Sequence, residues 1–209
     1  MTIIYLMRHS SGDKNIDFTR LNESFDKKNR KYGLSIDGEK TAYLYSKLKE
    51  LNKLNQVISS NYVRSITTAK YVAEKNKLSV IVDPAFDERK FGPDKEELIP
   101  TDFFKKQILN HDYKLKGGES FKQVSVRSLK GLSRVLKDNY KKKALIVTHS
   151  STICAILSKW CDISYDGKYI VKYKDKVIIN NFSSPDLLEL KFDDKNKLVD
   201  IKRIIAKLK

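Results

Sequence analysis

Two short apolar runs in this sequence each end at a histidine. Residues 3–7 (Ile-Ile-Tyr-Leu-Met) precede Arg8 and His9, and residues 144–148 (Ala-Leu-Ile-Val-Thr) precede His149. Both runs have the length and composition of buried β-strands. Ligands of open parallel α/β sheets bind outside the carboxyl ends of the strands. Because the chain has only three histidines, the placement of two of them at strand ends predicts a site that combines imidazoles with a fixed cation.

A third strand-like run, residues 56–59, is followed by a helical pattern that has Arg64 in its first turns. A helix N-terminus presents free N–H groups and the positive end of the helix dipole to an anion. Arginine makes forked, charge-assisted hydrogen bonds to phosphate or carboxylate groups. If the three runs are neighbouring strands, Arg8, Arg64, His9 and His149 converge on one anionic group.

These residue types suit phosphoryl transfer. A neutral imidazole can attack phosphorus and carry the phosphoryl group, while a second imidazole donates a hydrogen bond to the phosphate oxygens. A carboxyl group can protonate the leaving oxygen and then activate water. Glu88, in a predicted loop after the strand-like run 78–82, is the candidate for this role, and Asp83, Asp87 and Asp94 are nearby alternatives.

The elements that must position these residues alternate between strands and helices as far as residue 161. This alternation predicts a mostly parallel sheet with helices on both faces. Ser35 has the character of a helix N-cap, because leucines at helical spacing follow it. Residues 10–34 are predicted to form a long loop that contains Asn15, and residues 93–116 a small, partly helical lid.

The C-terminal quarter of the chain has a different pattern. It contains short strand-like runs that are predicted to extend the sheet at one edge, with some antiparallel pairing: 168–173, 177–181, 187–192 and 198–204. No linker-like stretch interrupts the sequence, so residues 1–209 are predicted to form a single domain.

The composition limits the classes of function. The formal net charge of +16 comes from lysines scattered through every segment, which indicates solvated surfaces. We therefore do not expect a nucleic acid as a partner. No stretch approaches the roughly 20 apolar residues of a membrane span, so we do not expect a membrane as a partner either. Cys154 and Cys161 are seven residues apart in a helix-like segment, or roughly 10 Å, which is too far for a disulfide. Free cysteines predict a cytoplasmic location.

Six motifs, in order along residues 1–160, resemble the signature of the histidine phosphatase superfamily, the phosphoglycerate-mutase-like proteins. Each motif is weak by itself, and their common order makes the resemblance specific. The matching segments are Arg8-His9-Ser10 with Asn15, Leu34-Ser35-Ile36-Asp37-Gly38, Ser60-Asn61-Tyr62-Val63-Arg64-Ser65-Ile66-Thr67-Thr68-Ala69, Glu88-Arg89-Lys90-Phe91-Gly92, Gly117-Gly118-Glu119-Ser120 and Val147-Thr148-His149.

The resemblance implies an α/β/α sandwich and a phosphomonoester hydrolase that requires no metal ion or cofactor. It implies that His9 is the phosphorylated nucleophile and that Glu88 is the proton donor. It also implies a phosphate pocket formed by Arg8, Arg64 and His149, with Asn15 at its edge. The expected substrate is a small phosphorylated metabolite.

Alternatives to the phosphatase remain open. Mutases of this superfamily carry further arginines between the acid and the second histidine, and residues 93–119 contain none, which favours a phosphatase. Ser10 and the pair Ser150-Ser151 replace glycines of the family pattern, so a catalytically silent phosphate-binding module is a second alternative. A basic nucleic-acid binder, based on charge alone, is the least favoured. The sequence identifies neither the substrate nor the oligomeric state.

Overall fold

The computed structural model describes residues 1–13 and 23–206 of this chain. Its helices are α1 (Phe25–Lys31), α2 (Ile36–Ser46), α3 (Val63–Lys75), α4 (Phe103–Leu109), α5 (Phe121–Asp138) and α6 (Ser150–Leu157). Its strands are β1 (Thr2–Arg8), β2 (Gln56–Ser59), β3 (Val80–Val82), β4 (Lys143–Thr148), β5 (Asp162–Tyr165), β6 (Tyr169–Tyr173), β7 (Lys176–Ile179), β8 (Asp186–Phe192) and β9 (Leu198–Ile204).

The main sheet has six strands in the order β3-β2-β4-β1-β8-β9. The first four of these strands are parallel, whereas β8 pairs antiparallel with β1, and β9 pairs antiparallel with β8. The strand β4 therefore lies between β2 and β1, and the carboxyl ends of these three strands are neighbours. The predicted mostly parallel sheet is confirmed.

The central strands are apolar throughout because both of their faces are buried. Ile4 and Leu6 of β1 pack into one hydrophobic cluster, which includes residues of α5 and α6. Tyr5 and Met7 point to the opposite face and pack into a second cluster, which includes residues of α2 and α3. This arrangement explains why the runs lack the apolar–polar alternation of a half-exposed strand, and it confirms the predicted three-layer α/β/α sandwich.

Two helices begin at caps that the sequence indicates. The Ser35 side chain accepts a hydrogen bond from the backbone N–H of Gly38 at the start of α2. Ser120 and Gln123 form a reciprocal capping box at the start of α5. Such caps satisfy backbone donors that a helix leaves unpaired in its first turn.

Several predicted boundaries are wrong. The predicted loop 10–34 contains the helix α1, and the helix predicted from Ser35 ends at Ser46 and is followed by a short 3-10 turn. Instead of extending the main sheet, β5, β6 and β7 form a separate antiparallel sheet, and only β8 and β9 extend the main one. The physical reason is that β8 pairs with β1 along its whole length, while Tyr169 and Val171 of β6 pack into the cluster that contains α6.

Two further observations concern properties predicted from composition. Cys154 and Cys161 are free and buried, as expected. Within residues 1–13 and 23–206, no helix combines the length and the apolar character that crossing a bilayer requires.

Gly38 packs closely against the chain segment that follows β1. A substitution at this position therefore tests the fold. A Cβ atom at Gly38 would overlap the carbonyl oxygen of Ser11, whereas a Cβ atom at Gly33 would have only a side-chain atom of Val63 near it, at 4.0 Å. We expect Gly38→Ala to lower the free energy of unfolding by about 1–3 kcal/mol. The matched control Gly33→Ala is expected to change it by less than about 0.5 kcal/mol. Urea unfolding measures both values, and equal effects of the two variants would contradict the packing.

Candidate active site

The strand order brings the predicted site residues to one edge of the sheet. Arg8 at the end of β1 is in register with Thr148 at the end of β4. The backbone N–H of His9 donates to the carbonyl of Thr148 at 3.0 Å, and that of Ser60 donates to the carbonyl of Val147 at 3.0 Å. The residues that directly follow β1, β2 and β4 are therefore neighbours at one edge of the sheet.

The imidazole of His9 is held in one orientation. Its Nδ1 lies 2.7 Å from the carbonyl oxygen of Ser10. A carbonyl only accepts hydrogen bonds, so Nδ1 carries the proton and Nε2 carries the lone pair. Arg64 Nε donates to this Nε2 at 3.0 Å. Burial, together with the neighbouring His149 and the charges of Arg64 and Arg8, holds the pKa of His9 well below its usual value, so the ring is neutral near pH 7.

His149 is fully buried next to His9 and forms the N-cap of α6. Its Nε2 lies 2.8 Å from Ser60 Oγ, and its Nδ1 accepts from Arg64 Nη2 at 3.4 Å. The two imidazole centroids are 5.1 Å apart. Burial first, and then the charges of Arg64, Arg127 and Arg8, lower the pKa of His149 well below its usual value.

Arg8 and Arg64 provide the positive charge of the site. Arg8 Nη1 donates to the carbonyls of Phe182 and Ser183, both at 3.1 Å. Arg64 Nη1 donates to the carbonyl of Asn29 in α1 at 2.5 Å. Burial lowers the pKa of both guanidinium groups. The usual pKa of arginine is so high that both groups still keep their charge at neutral pH. The hydrogen-bond partners named here are neutral, so neither guanidinium group is tied to a carboxylate through them, and both can bind an anion.

Several of these side chains line a cavity of about 590 Å³, which we name the histidine cavity; His149 is not among its described lining residues. Arg8, His9, Arg64 and Glu88 line it. Asp83, Asp87 and Asp94, the alternatives to Glu88, are not among its described lining residues. Asp83 pairs with Arg134 on α5, and Asp87 accepts from the backbone N–H of Asn61. Of these four candidates, Glu88 is thus the one that lines the cavity, which Asp13 and Glu96 also line.

Both oxygens of the Glu88 carboxyl group have defined surroundings. Oε1 accepts from the backbone N–H of Arg89 at 2.8 Å and from the hydroxyl of Ser151. Oε2 lies 3.9 Å from Nδ1 of His149. The structure therefore places Glu88 beside the two histidines and the two arginines, as predicted. Asn15 lies outside the described residues, and its place at the edge of the pocket stays a prediction.

Sequence reasoning missed residues that hold the Glu88 loop, residues 87–92. Arg127 of α5 donates to the carbonyl of Glu88 at 3.2 Å and forms a two-pronged ion pair with Glu119. Glu119 also accepts from the backbone N–H of Lys90 at 3.0 Å. The Gly-Gly-Glu-Ser element was the available signal for Glu119, since it recurred in the family pattern without a role assigned to its acid.

The helix α1 contacts the same loop from the other side. The carboxylate of Asp26 accepts from the backbone N–H groups of Phe91 and Gly92, at 2.9 and 3.0 Å. The ring of Phe25 packs against that of Phe91 with centroids 5.4 Å apart. The sequence carried no signal for this contact, because residues 10–34 were predicted to be a loop.

Ser10 leaves the histidine cavity unobstructed. Its backbone N–H donates to Thr68 Oγ1 at 3.0 Å, and its hydroxyl donates to the carbonyl of Gly38 at 2.6 Å. Ser10 is completely buried and points toward α2 and α3. The replacement of a family glycine by Ser10 therefore does not narrow the site.

The chain belongs to the histidine phosphatase superfamily (branch 1), whose family model matches residues 4–178. The chain is also similar to a probable phosphoglycerate mutase, GpmB, of Serratia proteamaculans. The two sequences are 27% identical over 165 residues, which cover 76% of this chain and 74% of the relative.

Solved structures share the fold at low sequence identity. A mycobacterial glucosyl-3-phosphoglycerate phosphatase superposes with a TM-score of 0.67 at 16% identity, covering 97% of this chain and 95% of that chain. Bacillus stearothermophilus YhfR superposes with a TM-score of 0.69 at 17% identity, covering 95% of each chain. A phosphoserine phosphatase from Entamoeba histolytica superposes with a TM-score of 0.66 at 17% identity, covering 97% of each chain. The phosphoglycerate-mutase-like fold predicted from the motifs is confirmed.

The lowered pKa values of the two imidazoles predict how stability depends on pH. The unfolded chain takes up protons near pH 6.5, whereas the folded chain keeps His9 and His149 neutral to lower pH. Stability is therefore retained above about pH 6.5 and lost as the pH falls below it. We expect His149→Gln to reduce the loss of unfolding free energy between pH 7 and pH 5 by about 2 kcal/mol.

Urea unfolding at the two pH values measures this difference. His111→Gln, which removes an exposed histidine outside the histidine cavity, is the matched control and is expected to keep the wild-type pH dependence. An unchanged pH dependence in His149→Gln would contradict the buried, neutral state of this ring.

Proposed function

We propose that this chain is a phosphomonoester hydrolase that forms a phosphohistidine intermediate on His9. One observation carries the proposal: the carbonyl of Ser10 holds Nδ1 of His9, so that the lone pair of Nε2 lies beside the guanidinium of Arg64. A neutral imidazole whose Nε2 carries a lone pair instead of a proton, next to fixed cations, is what nucleophilic attack on a phosphate ester requires; the hydrogen bond from Arg64 to this lone pair must give way as the attack occurs.

In the first step, Arg8 and Arg64 bind the phosphate oxygens, and Nε2 of His9 attacks phosphorus. The bond from phosphorus to the ester oxygen breaks, and Glu88 gives its proton to the departing alcohol. The bound phosphate dianion favours protonation of His149, whose Nδ1 then donates to a phosphate oxygen. The family's Asn, here Asn15, would contact the phosphate at the edge of the pocket.

In the second step, Glu88, now ionised, takes a proton from water. The water oxygen attacks the phosphorus of phosphohistidine, the phosphorus–nitrogen bond breaks, and inorganic phosphate leaves. Glu88 is protonated again and His9 is neutral, so the cycle closes. The proposal assigns no role to a metal ion or a cofactor.

The outer part of the histidine cavity favours a phosphatase over a mutase. Beyond Arg8 and Arg64, its described lining residues include no lysine or arginine that could hold the carboxylate of a phosphoglycerate. The similarity to a probable phosphoglycerate mutase makes phosphotransfer between glycerates the second candidate. A silent phosphate-binding module is the third, although the side chains of Ser10 and Ser151 do not obstruct the cavity.

The structural neighbours support a small phosphorylated metabolite as substrate, since two of them are named for glucosyl-3-phosphoglycerate and phosphoserine. We propose that residues 1–209 act as one domain and that residues 93–116, which include α4, act as a lid that selects the substrate. The cytoplasmic location and the absence of nucleic-acid and membrane partners stay predictions from composition.

Release of phosphate from a small aryl phosphate in the presence of a chelator tests the proposed function. We expect turnover in the wild-type protein and a loss of at least about 10³-fold in His9→Ala, because the nucleophile is removed. Wild-type protein quenched in an alkaline denaturant, which preserves the acid-labile phosphorus–nitrogen bond, should carry phosphate on His9. Rapid interconversion of phosphoglycerates with little phosphate release would favour the mutase, and binding of phosphate without turnover would favour the silent module.

The fork of Arg64 is tested by a conservative substitution. Arg64→Lys keeps the charge but loses the Nε donor to His9 and the paired donors for phosphate, so we expect kcat/KM to fall by about 10²-fold. Arg134→Lys, whose guanidinium pairs with Asp83 at the surface, is the matched control and is expected to keep the wild-type kcat/KM. Equal activity of the two variants would contradict the assigned role.

A further inference from the structure

We propose that Ser151 is a positioning residue that determines which oxygen of Glu88 carries the transferable proton; this inference rests on the proposed role of Glu88 as the acid. Ser151 lies in the first turn of α6, two residues after His149, and its hydroxyl donates to Oε1 of Glu88. Ser151 is almost completely buried.

The two donors on Oε1 differ in character, and both act in the same direction. The backbone N–H of Arg89 can only donate, and it lies 2.8 Å from Oε1. The hydroxyl of Ser151 supplies the second donor. An oxygen that accepts two hydrogen bonds has its in-plane lone pairs occupied, so a proton binds to the other oxygen. The proton of Glu88 is therefore directed to Oε2.

The position of Oε2 determines where Glu88 can deliver its proton. Oε2 is the oxygen nearer to His149, at 3.9 Å from Nδ1, and Glu88 lines the histidine cavity. A proton on Oε2 is thus on the side of the carboxyl group nearer to His149. The leaving oxygen of a substrate must lie in line with the attack, across phosphorus from Nε2 of His9, and a proton on Oε2 is the one positioned to reach it. A proton on Oε1 would point toward α6 and would not reach that oxygen.

The backbone and the side chain of Glu88 are fixed by separate elements. Arg127 holds the backbone of the Glu88 loop through the carbonyls of Ala85 and Glu88. Ser151 is the side-chain group that restrains rotation of the carboxyl plane. The family pattern has a glycine where Ser151 stands, and a glycine has no donor to offer beyond its backbone. The serine therefore adds a restraint on the acid that this chain possesses in its own right.

Removal of the Ser151 hydroxyl should impair proton donation and leave nucleophilic attack intact. The test compares wild-type protein with Ser151→Ala on a series of substituted phenyl phosphates of similar size. Esters with a poor leaving group need the proton, whereas p-nitrophenyl phosphate needs it little. For Ser151→Ala we expect kcat/KM to fall about 10- to 100-fold on phenyl phosphate and less than about threefold on p-nitrophenyl phosphate. A general disturbance of the fold would lower both equally.

A conservative variant gives a second readout. Ser151→Thr, which retains a hydroxyl, should show the wild-type leaving-group dependence. Ser133→Ala, which removes an exposed hydroxyl on α5, is the control and should match the wild type.

The outcomes separate this inference from the proposed function. If the wild-type protein releases phosphate and His9→Ala does not, but Ser151→Ala shows the wild-type leaving-group dependence, the positioning role is wrong and the phosphatase stands. If Ser151→Ala loses activity equally on every ester and Ser151→Thr does not recover it, the positioning role is also wrong. If the wild-type protein hydrolyses no ester, the proposed function fails first, and the inference falls with it.

Discussion

The buried guanidinium of Arg64 between two neutral imidazoles is the interaction on which the site depends. Arg64 donates to His9 through Nε and to His149 through Nη2, and its remaining described partner is a backbone carbonyl in α1. A buried cation with only neutral partners repels further protons, which is one reason why the pKa values of both histidines are lowered. The same guanidinium group can bind a phosphate dianion. One side chain therefore helps to keep the nucleophile unprotonated and also provides part of the phosphate site.

The topology of the sheet makes this arrangement possible. Because β4 lies between β1 and β2, residues as far apart in sequence as His9, Ser60 and His149 follow three adjacent strand ends. Arg64 reaches both histidines because α3 starts directly beyond β2, and its first turn lies over the end of β4. The carboxyl group comes from a loop beyond the next parallel strand, β3, and that loop is held by α5 and by α1. Each helix layer thus contributes one restraint to a site formed by the sheet.

The serines that depart from the family pattern have different consequences, which depend on where their side chains point. Ser10 directs its hydroxyl into the protein toward Gly38, and it affects packing without affecting the cavity. Ser151 directs its hydroxyl to the carboxyl group of Glu88 and contacts the proposed chemistry. Both residues replace a glycine of the family pattern, and nothing in the sequence distinguishes their effects. Only the direction of the Cα–Cβ bond in the folded chain distinguishes a silent replacement from one that alters the acid.

The sequence by itself determined the fold class, the strand ends and the residues that meet there. Its apolar runs are buried on both faces of the sheet, its caps start α2 and α5, and Arg8, His9, Arg64, Glu88 and His149 are near one another. A pattern of apolar residues indicates which residues are buried but not which element they pack against. The separate sheet of β5, β6 and β7 and the helix α1 were therefore not predicted. The restraints from Arg127, Asp26 and Ser151 were also not predicted. They depend on the directions of side chains from distant elements, and only the tertiary structure decides these directions.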